Sequence, residues 1–215
     1  MEAETYINLV DTAMENAENN ISKISHDIIV LNGNVGLKTK HFYNNLLNFP
    51  NAKYLDIGSW TGSSVCSAIH NNSADIVCID NWLSSGDTRL EFMLNLEKFK
   101  GENNVTILEA DYDKVNTDCL RNFNILIYDG DHSVISHDKI LPHYYDALSD
   151  IFILVVDDWN MKNIRDQVLL SISRLNLKTL HQRAIRLTWD DSFTRQPYAA
   201  NTWWNGMYVA VLQKQ

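Results

Sequence analysis

Cysteine, proline and glycine are scarce in this 215-residue chain, with three, three and eight of each, and nowhere do they concentrate. No Pro/Gly/Ser-rich linker breaks the sequence, so one domain is expected over 1–215, with a helical amino-terminal extension at 1–50 and a core at 51–215. Cys66, Cys78 and Cys119 are odd in number and lack any C-x-x-C spacing, which argues against a disulfide framework or a zinc site. Long apolar runs are missing as well. The longest has six residues, against the roughly 20 that a membrane-spanning helix needs. The start, Met1-Glu2-Ala3-Glu4, is acidic where a signal peptide would be basic, so a soluble, cytoplasmic protein with no membrane partner is expected. There is no Lys/Arg block either. With a net charge of −9 the chain lacks the electrostatic footprint of phosphate-backbone binding, and no nucleic-acid partner is expected.

What is present is a strict alternation. After an amphipathic stretch at 3–18, with Ile7, Val10, Met14 and Ala17 at helical spacing, and a second helix at about 38–48 ending before Pro50, apolar runs of strand length alternate with helical patterns. Strands are expected at 53–57, 75–80, 104–109, 124–129 and 151–157, and helices at 62–71, 87–99, 113–121, 134–147 and 160–174. Such alternation implies right-handed crossovers, a parallel sheet and helices on both of its faces. The last two strands, 178–188 and 206–213, have no helix between them and are expected to close one edge antiparallel. The fold class is α/β: a Rossmann-like three-layer α/β/α sandwich, with a mostly parallel seven-stranded sheet, an antiparallel closing strand and amino-terminal helices.

Chemistry gathers at the carboxyl ends of the strands, where open α/β folds bind their ligands. The first strand runs into Asp56-Ile57-Gly58-Ser59-Trp60-Thr61-Gly62-Ser63, a turn whose glycines let the backbone approach a ligand and which opens a helix. It is not the dinucleotide fingerprint, because Trp60 stands at the middle glycine. Asp80 ends the second strand 22 residues after Gly58, where a ribose-binding carboxylate belongs. The apolar run 124–128 stops abruptly at Asp129-Gly130-Asp131-His132, and the run 151–156 at Asp157-Asp158. Asp129 and Asp157 are 28 residues apart, one strand-helix-strand unit, so a single crossover sets them side by side. Bare carboxylates ~4 Å apart repel by roughly 4 kcal/mol at an effective dielectric near 20, so the cluster needs a cation, a shared proton or solvent. All-oxygen donors favour Mg²⁺, with Mn²⁺ or Ca²⁺ as alternatives, and helix capping by one acid of the pair is the plainer explanation.

Taken together, Asp56-x-Gly58-x-x-x-Gly62, Asp80 and Asp111 resemble the pattern of class I S-adenosylmethionine-dependent methyltransferases. Gly62-Ser63-Ser64, Asp80-Asn81-Trp82, Tyr128-Asp129-Gly130-Asp131-His132-Ser133 and Val156-Asp157-Asp158-Trp159 are similar to the metal-dependent, macrocin-type sugar O-methyltransferases; the likeness spans about 36–160. The resemblance implies that Asp56, Gly58, Ser59, Gly62 and Ser63 form the methionine end of a cofactor site. Asp80 would accept the ribose hydroxyls, and Asn81, Trp82, Asp111 and Tyr112 would surround the adenine. Asp129 would serve both cofactor and metal, with Asp157 and Asp158 as the other metal ligands. Asp131 would be the base that takes the acceptor's proton, and His132, whose ordinary pKa near 6.5 suits that task, is its rival.

The connection 189–205 is long, polar and aromatic, and no core requires it. Trp203 and Trp204 are expected to stack on a sugar face, Arg195, Asp190 or Asn205 to reach its hydroxyls, and Trp159 to touch the same substrate; an aromatic plug or a homodimer contact is the alternative. The segment 33–39 is expected to complete the pocket. The expected activity is methyl transfer to a hydroxyl of a sugar, on a small-molecule or glycan acceptor such as a deoxysugar of a glycan or natural product; an NAD-linked oxidoreductase and a metal-dependent hydrolase are the alternatives on the same scaffold.

Overall fold

The computed structural model describes residues 2–83 and 86–215. Its strands are β1 (Ala52–Ile57), β2 (Ala74–Asp80), β3 (Asn104–Glu109), β4 (Phe123–Tyr128), β5 (Leu148–Asp157), β6 (Lys178–Ile185) and β7 (Met207–Gln213). They form one sheet in the order β3-β2-β1-β4-β5-β7-β6. The first five are parallel, and β7 lies antiparallel between β5 and β6. The order reverses between β1 and β4, so the loops after these two strands diverge and open a crevice there.

Among the described residues seven α-helices accompany the sheet: α1 (Ala3–Glu18), α2 (His26–Ile29), α3 (Leu37–Leu46), α4 (Ser63–Ile69), α5 (Thr88–Phe99), α6 (Val134–Tyr144) and α7 (Lys162–Arg174). Alternating side chains of the strands feed two cores. Tyr54, Ile125, Ile127, Ile153 and Val155 pack toward α1, α3, α4 and α5, while Leu55, Leu126, Tyr128, Phe152 and Leu154 pack toward α6 and α7. Being covered on both faces is why β4 and the second half of β5 read as unbroken apolar runs. Each fully buried aliphatic or aromatic side chain is worth about 1.5–3 kcal/mol relative to exposure, which holds the strand ends in fixed register beneath the crevice.

Three details differ from the sequence expectation. No helix forms over 113–121: the chain makes 3₁₀ turns at Tyr112–Lys114 and Thr117–Cys119, separated by extended backbone at Val115 and Asn116. The segment is rich in Asp, Asn and Thr, which bond their own backbone in place of a helix, and Asn116 does so by accepting from the Asp118 N–H at 2.9 Å. The buried stripe of α1 is Tyr6, Val10, Ala13 and Ala17, with Ile7 and Met14 on its flanks. The short α2 is an addition. Lys40, itself buried, donates from Nζ to the carbonyls of Ile28, Ile29 and Leu31 at 3.1, 2.8 and 3.0 Å, satisfying groups that the end of so short a helix leaves unpaired. Burial lowers its pKa to about 8.

Candidate active site

A cavity of about 890 Å³ occupies the crevice and runs from the glycine turn after β1 to the acids after β4 and β5. At one end, Gly58 takes φ +95° and packs so closely on the next strand that a Cβ would lie 2.0 Å from the Asp129 carbonyl oxygen. Only glycine fits, and the chain there passes directly under the cavity. Asp80 organises the turn: its Oδ2 accepts from the Trp60 N–H at 2.8 Å and its Oδ1 from the Trp82 N–H at 2.7 Å. Each oxygen keeps a second lone pair for a ligand hydroxyl. Asn81 donates to Asp111, and both line the cavity with Tyr112.

Asp56 stands beneath this end and does not line it. Its carboxylate accepts from the Tyr54 hydroxyl at 2.6 Å and the Ser59 hydroxyl at 2.5 Å, and burial pushes its pKa up to about 6. It therefore positions Ser59, which does face the cavity. Gly62 also lies off the wall; it caps α4 in the left-handed conformation at φ +82°, while Ser63 and Ser64 reach the cavity. Segment 33–34 contributes to the same wall, as expected for the loop before α3. It is clamped there by Thr61, whose hydroxyl donates to the Asn32 carbonyl at 2.9 Å.

Beside Gly58, where β4 and β5 end, Asp129, Asp157 and Asp158 all line the cavity. Burial, then the neighbouring charge of Asp157, raises the Asp129 carboxyl well above its usual range; burial and the charge of Asp158 do the same to Asp157. Asp129 and Asp157 lie close enough for each to feel the other's charge, and burial with that repulsion favours the protonated form. Asp157 Oδ1 is buried with no hydrogen-bond partner. Asp158, at φ +56°, turns away from this pair: its Oδ1 accepts from Asn205 Nδ2 at 2.8 Å, and its Oδ2 lies 3.4 Å from His132 Nδ1. Among the described residues no three His, Cys, Asp or Glu side chains are arranged to hold an ion. The three acids expected at this rim thus divide into a buried carboxyl pair, Asp129 and Asp157, and a couple of Asp158 with His132.

Asp131 and His132 separate in role. Asp131 accepts from the Ser133 N–H at 3.2 Å, from the Ser133 hydroxyl at 2.7 Å and from the Ser136 hydroxyl. These bonds, that of Ser136 foremost, hold its pKa below the ordinary carboxylate value. It anchors the start of α6 and is a weak base. His132 is half exposed on the cavity wall with one ring nitrogen toward Asp158.

Several aromatic expectations are corrected. Trp82 is buried against Phe92, donating from Nε1 to the Trp60 carbonyl at 2.7 Å, so it braces the glycine turn from behind. Trp159 stacks on Tyr208 at 4.2 Å inside the core. Trp203 is buried beside Phe42 and donates to Glu18 at 2.7 Å. None of the three, nor Arg195, lines the cavity; Trp204 does, with Asn205, Phe193 and Ile135. Phe193, Ile135, Ser136 and Lys139 were not legible as site residues, because in sequence they read as ordinary loop or helix positions. Only the length of the 189–205 connection hinted at Phe193.

Comparison with known proteins bears on the central segment and on the fold. Residues 55–159, slightly less than half of the chain, match the model of a family described as a methyltransferase domain. No curated protein matches the sequence. Among solved structures, a Thermoplasma acidophilum protein assigned as a methyltransferase shares 16% identity at a TM-score of 0.53, covering 78% of this chain and 70% of that one. A Klebsiella pneumoniae protein assigned as an O-methyltransferase shares 12% at 0.55, covering 95% and 90%. A further protein assigned as a methyltransferase and solved with SAH shares 15% at 0.55; the match covers 85% of this chain and about half, 51%, of that protein. At these identities the likeness is one of fold.

Proposed function

We propose that this chain, which carries a methyltransferase domain on the Rossmann-like fold, transfers a methyl group from S-adenosylmethionine to a hydroxyl of a sugar. The observation behind the reading is the continuity of one cavity from the Gly58–Asp80–Asp111 wall to the His132–Asp158 couple. Bound S-adenosylmethionine would supply an electrophilic methyl on a cationic sulfur. Gly58 lets the backbone come close to such a ligand, Asp80 retains acceptor capacity for ribose hydroxyls, and Asn81, Asp111 and Tyr112 offer polar and aromatic groups to the adenine.

A sugar hydroxyl is a poor nucleophile until its proton leaves. Asp158, fixed by Asn205, faces His132 Nδ1, so a proton on that nitrogen leaves Nε2 as the acceptor for the hydroxyl proton. Asp131, already bonded to two serines, is the poorer candidate. The acid-lined floor and the net charge of −9 also disfavour a nucleic-acid acceptor.

A divalent cation is the finer part of the reading. The donors are oxygen, and Asp157 Oδ1 is a buried acceptor without a partner, so Asp129 and Asp157 would hold Mg²⁺, while Asp158 is engaged by Asn205 and His132. When bound, the ion would act as a Lewis acid toward an acceptor oxygen. Titrating Mg²⁺ into chelator-treated protein should raise Tm, and should do so far less in Asp157→Asn; equal shifts in both would remove the metal from the account.

The function itself is tested by incubating the protein with S-adenosylmethionine bearing a deuterated methyl group and a panel of sugars and glycosides, read by mass spectrometry. Label on a carbohydrate oxygen is expected, and it should fall at least 100-fold in His132→Ala. Label on nitrogen or carbon acceptors alone would contradict the O-methyl reading.

A further inference from the structure

The connection between β6 and β7 is pinned by buried side chains, yet it holds Trp189 and Phe193 in water. Asn160, fully buried, accepts from the Leu187 N–H at 2.8 Å and donates to Thr194 Oγ1 at 2.9 Å and the Ser192 carbonyl at 3.3 Å. Asp191 is bridged by Arg165 at 2.9 Å and Arg186 at 3.3 Å, and the Thr194 N–H donates to Asn205 at 2.9 Å. On this frame Trp189 remains 82% exposed and Phe193 65% exposed. A frayed loop exposes aromatics by chance; a loop tied at both ends and in its middle presents them.

Phe193 belongs to two surfaces at once, because it also lines the catalytic cavity beside Asn205 and Trp204. Trp189, four residues earlier, is seated over the Arg186 guanidinium at 4.8 Å. Whatever fills the acceptor end of the cavity therefore continues outward onto the same loop. Between the two rings lie Asp190, Asp191 and Ser192, so hydrogen-bonding groups alternate with aromatic faces. That mixture suits rings with apolar faces and hydroxyl edges.

We infer that the acceptor is an oligosaccharide rather than a single sugar, with the unit that reacts inside the cavity and at least one further ring lying on a ledge formed by Phe193 and Trp189. The inference rests on the sugar O-methyl reading and narrows its substrate class. Each aromatic face would contribute binding that a monosaccharide cannot use.

The test is an array of mono- to hexasaccharides probed with the full chain in the presence of S-adenosylhomocysteine. The wild type should retain chains of several rings and not the matching monosaccharides. Trp189→Ala and Phe193→Ala should each weaken retention about tenfold, with Trp189→Phe recovering most of it. Equal retention of single sugars and chains, variants that bind as the wild type does, or no retained carbohydrate would each overturn the ledge. Calorimetry with S-adenosylhomocysteine on the same preparations separates the two levels. Normal nucleoside binding without any dependence on chain length counts against the ledge alone; a wild type that binds no nucleoside sinks the methyl-transfer reading and the ledge with it.

Discussion

Buried carboxyl groups set the behaviour of single residues here. Asp56 is the clearest, because burial raises its pKa from about 3.8 to about 6. The folded state then holds its proton more tightly than the unfolded chain, so this group's stabilising contribution is complete below pH 3.8 and is lost as pH rises to about 6. The loss amounts to about 3 kcal/mol at neutral pH. Asp56→Asn has no proton to lose and keeps an acceptor for Tyr54 and Ser59. Urea unfolding should therefore show the variant gaining on the wild type between pH 4 and pH 7, by up to about that amount; a difference independent of pH would mean that Asp56 is not raised. Such a pKa is not legible in sequence, where Asp56 reads only as one acid of a glycine-rich motif. The same blindness explains Trp82, Trp159 and Trp203. Each adjoins or falls within a site segment, yet local pattern does not say to which side of the chain an aromatic turns, and packing against Phe92, Tyr208 and Phe42 decided it.

At the scale of elements, the strands and the larger helices were legible because burial on both faces leaves unbroken apolar runs, as at 151–156, and burial on one face leaves helical spacing. The segment 113–121 failed because its polar residues satisfy the backbone locally, and the insertion of β7 between β5 and β6 was invisible because strand order is a property of distant pairing. The 186–205 connection shows how one buried side chain can stand in for secondary structure. Asn160 bonds the Leu187 and Thr188 amides at 2.8 and 3.3 Å, and its side-chain nitrogen reaches Thr194. Asn160→Ala should cost about 1–3 kcal/mol for the partners left unpaired. Hydrogen exchange should quicken first at Leu187, Thr188 and Thr194 while β4 and β5 stay protected; uniform acceleration across the sheet would contradict a local role for Asn160.

The whole molecule brings the Asp80–Asp111 wall and the His132–Asp158 couple into one cavity, each held by strands that the sheet fixes in register. The acids at 129, 157 and 158 could be placed at that rim from sequence, since both strands end in carboxylates one crossover apart; their division into a buried carboxyl pair and a His-Asp couple depends on side-chain direction and could not. Wall and couple should be separable by mutation. Calorimetric titration of S-adenosylmethionine into the wild type, Asp80→Ala and His132→Ala tests this most directly. Binding is expected in the wild type and in His132→Ala with closely similar affinity, and a loss of at least tenfold is expected in Asp80→Ala. No binding by the wild type, or an undiminished affinity in Asp80→Ala, would contradict the account.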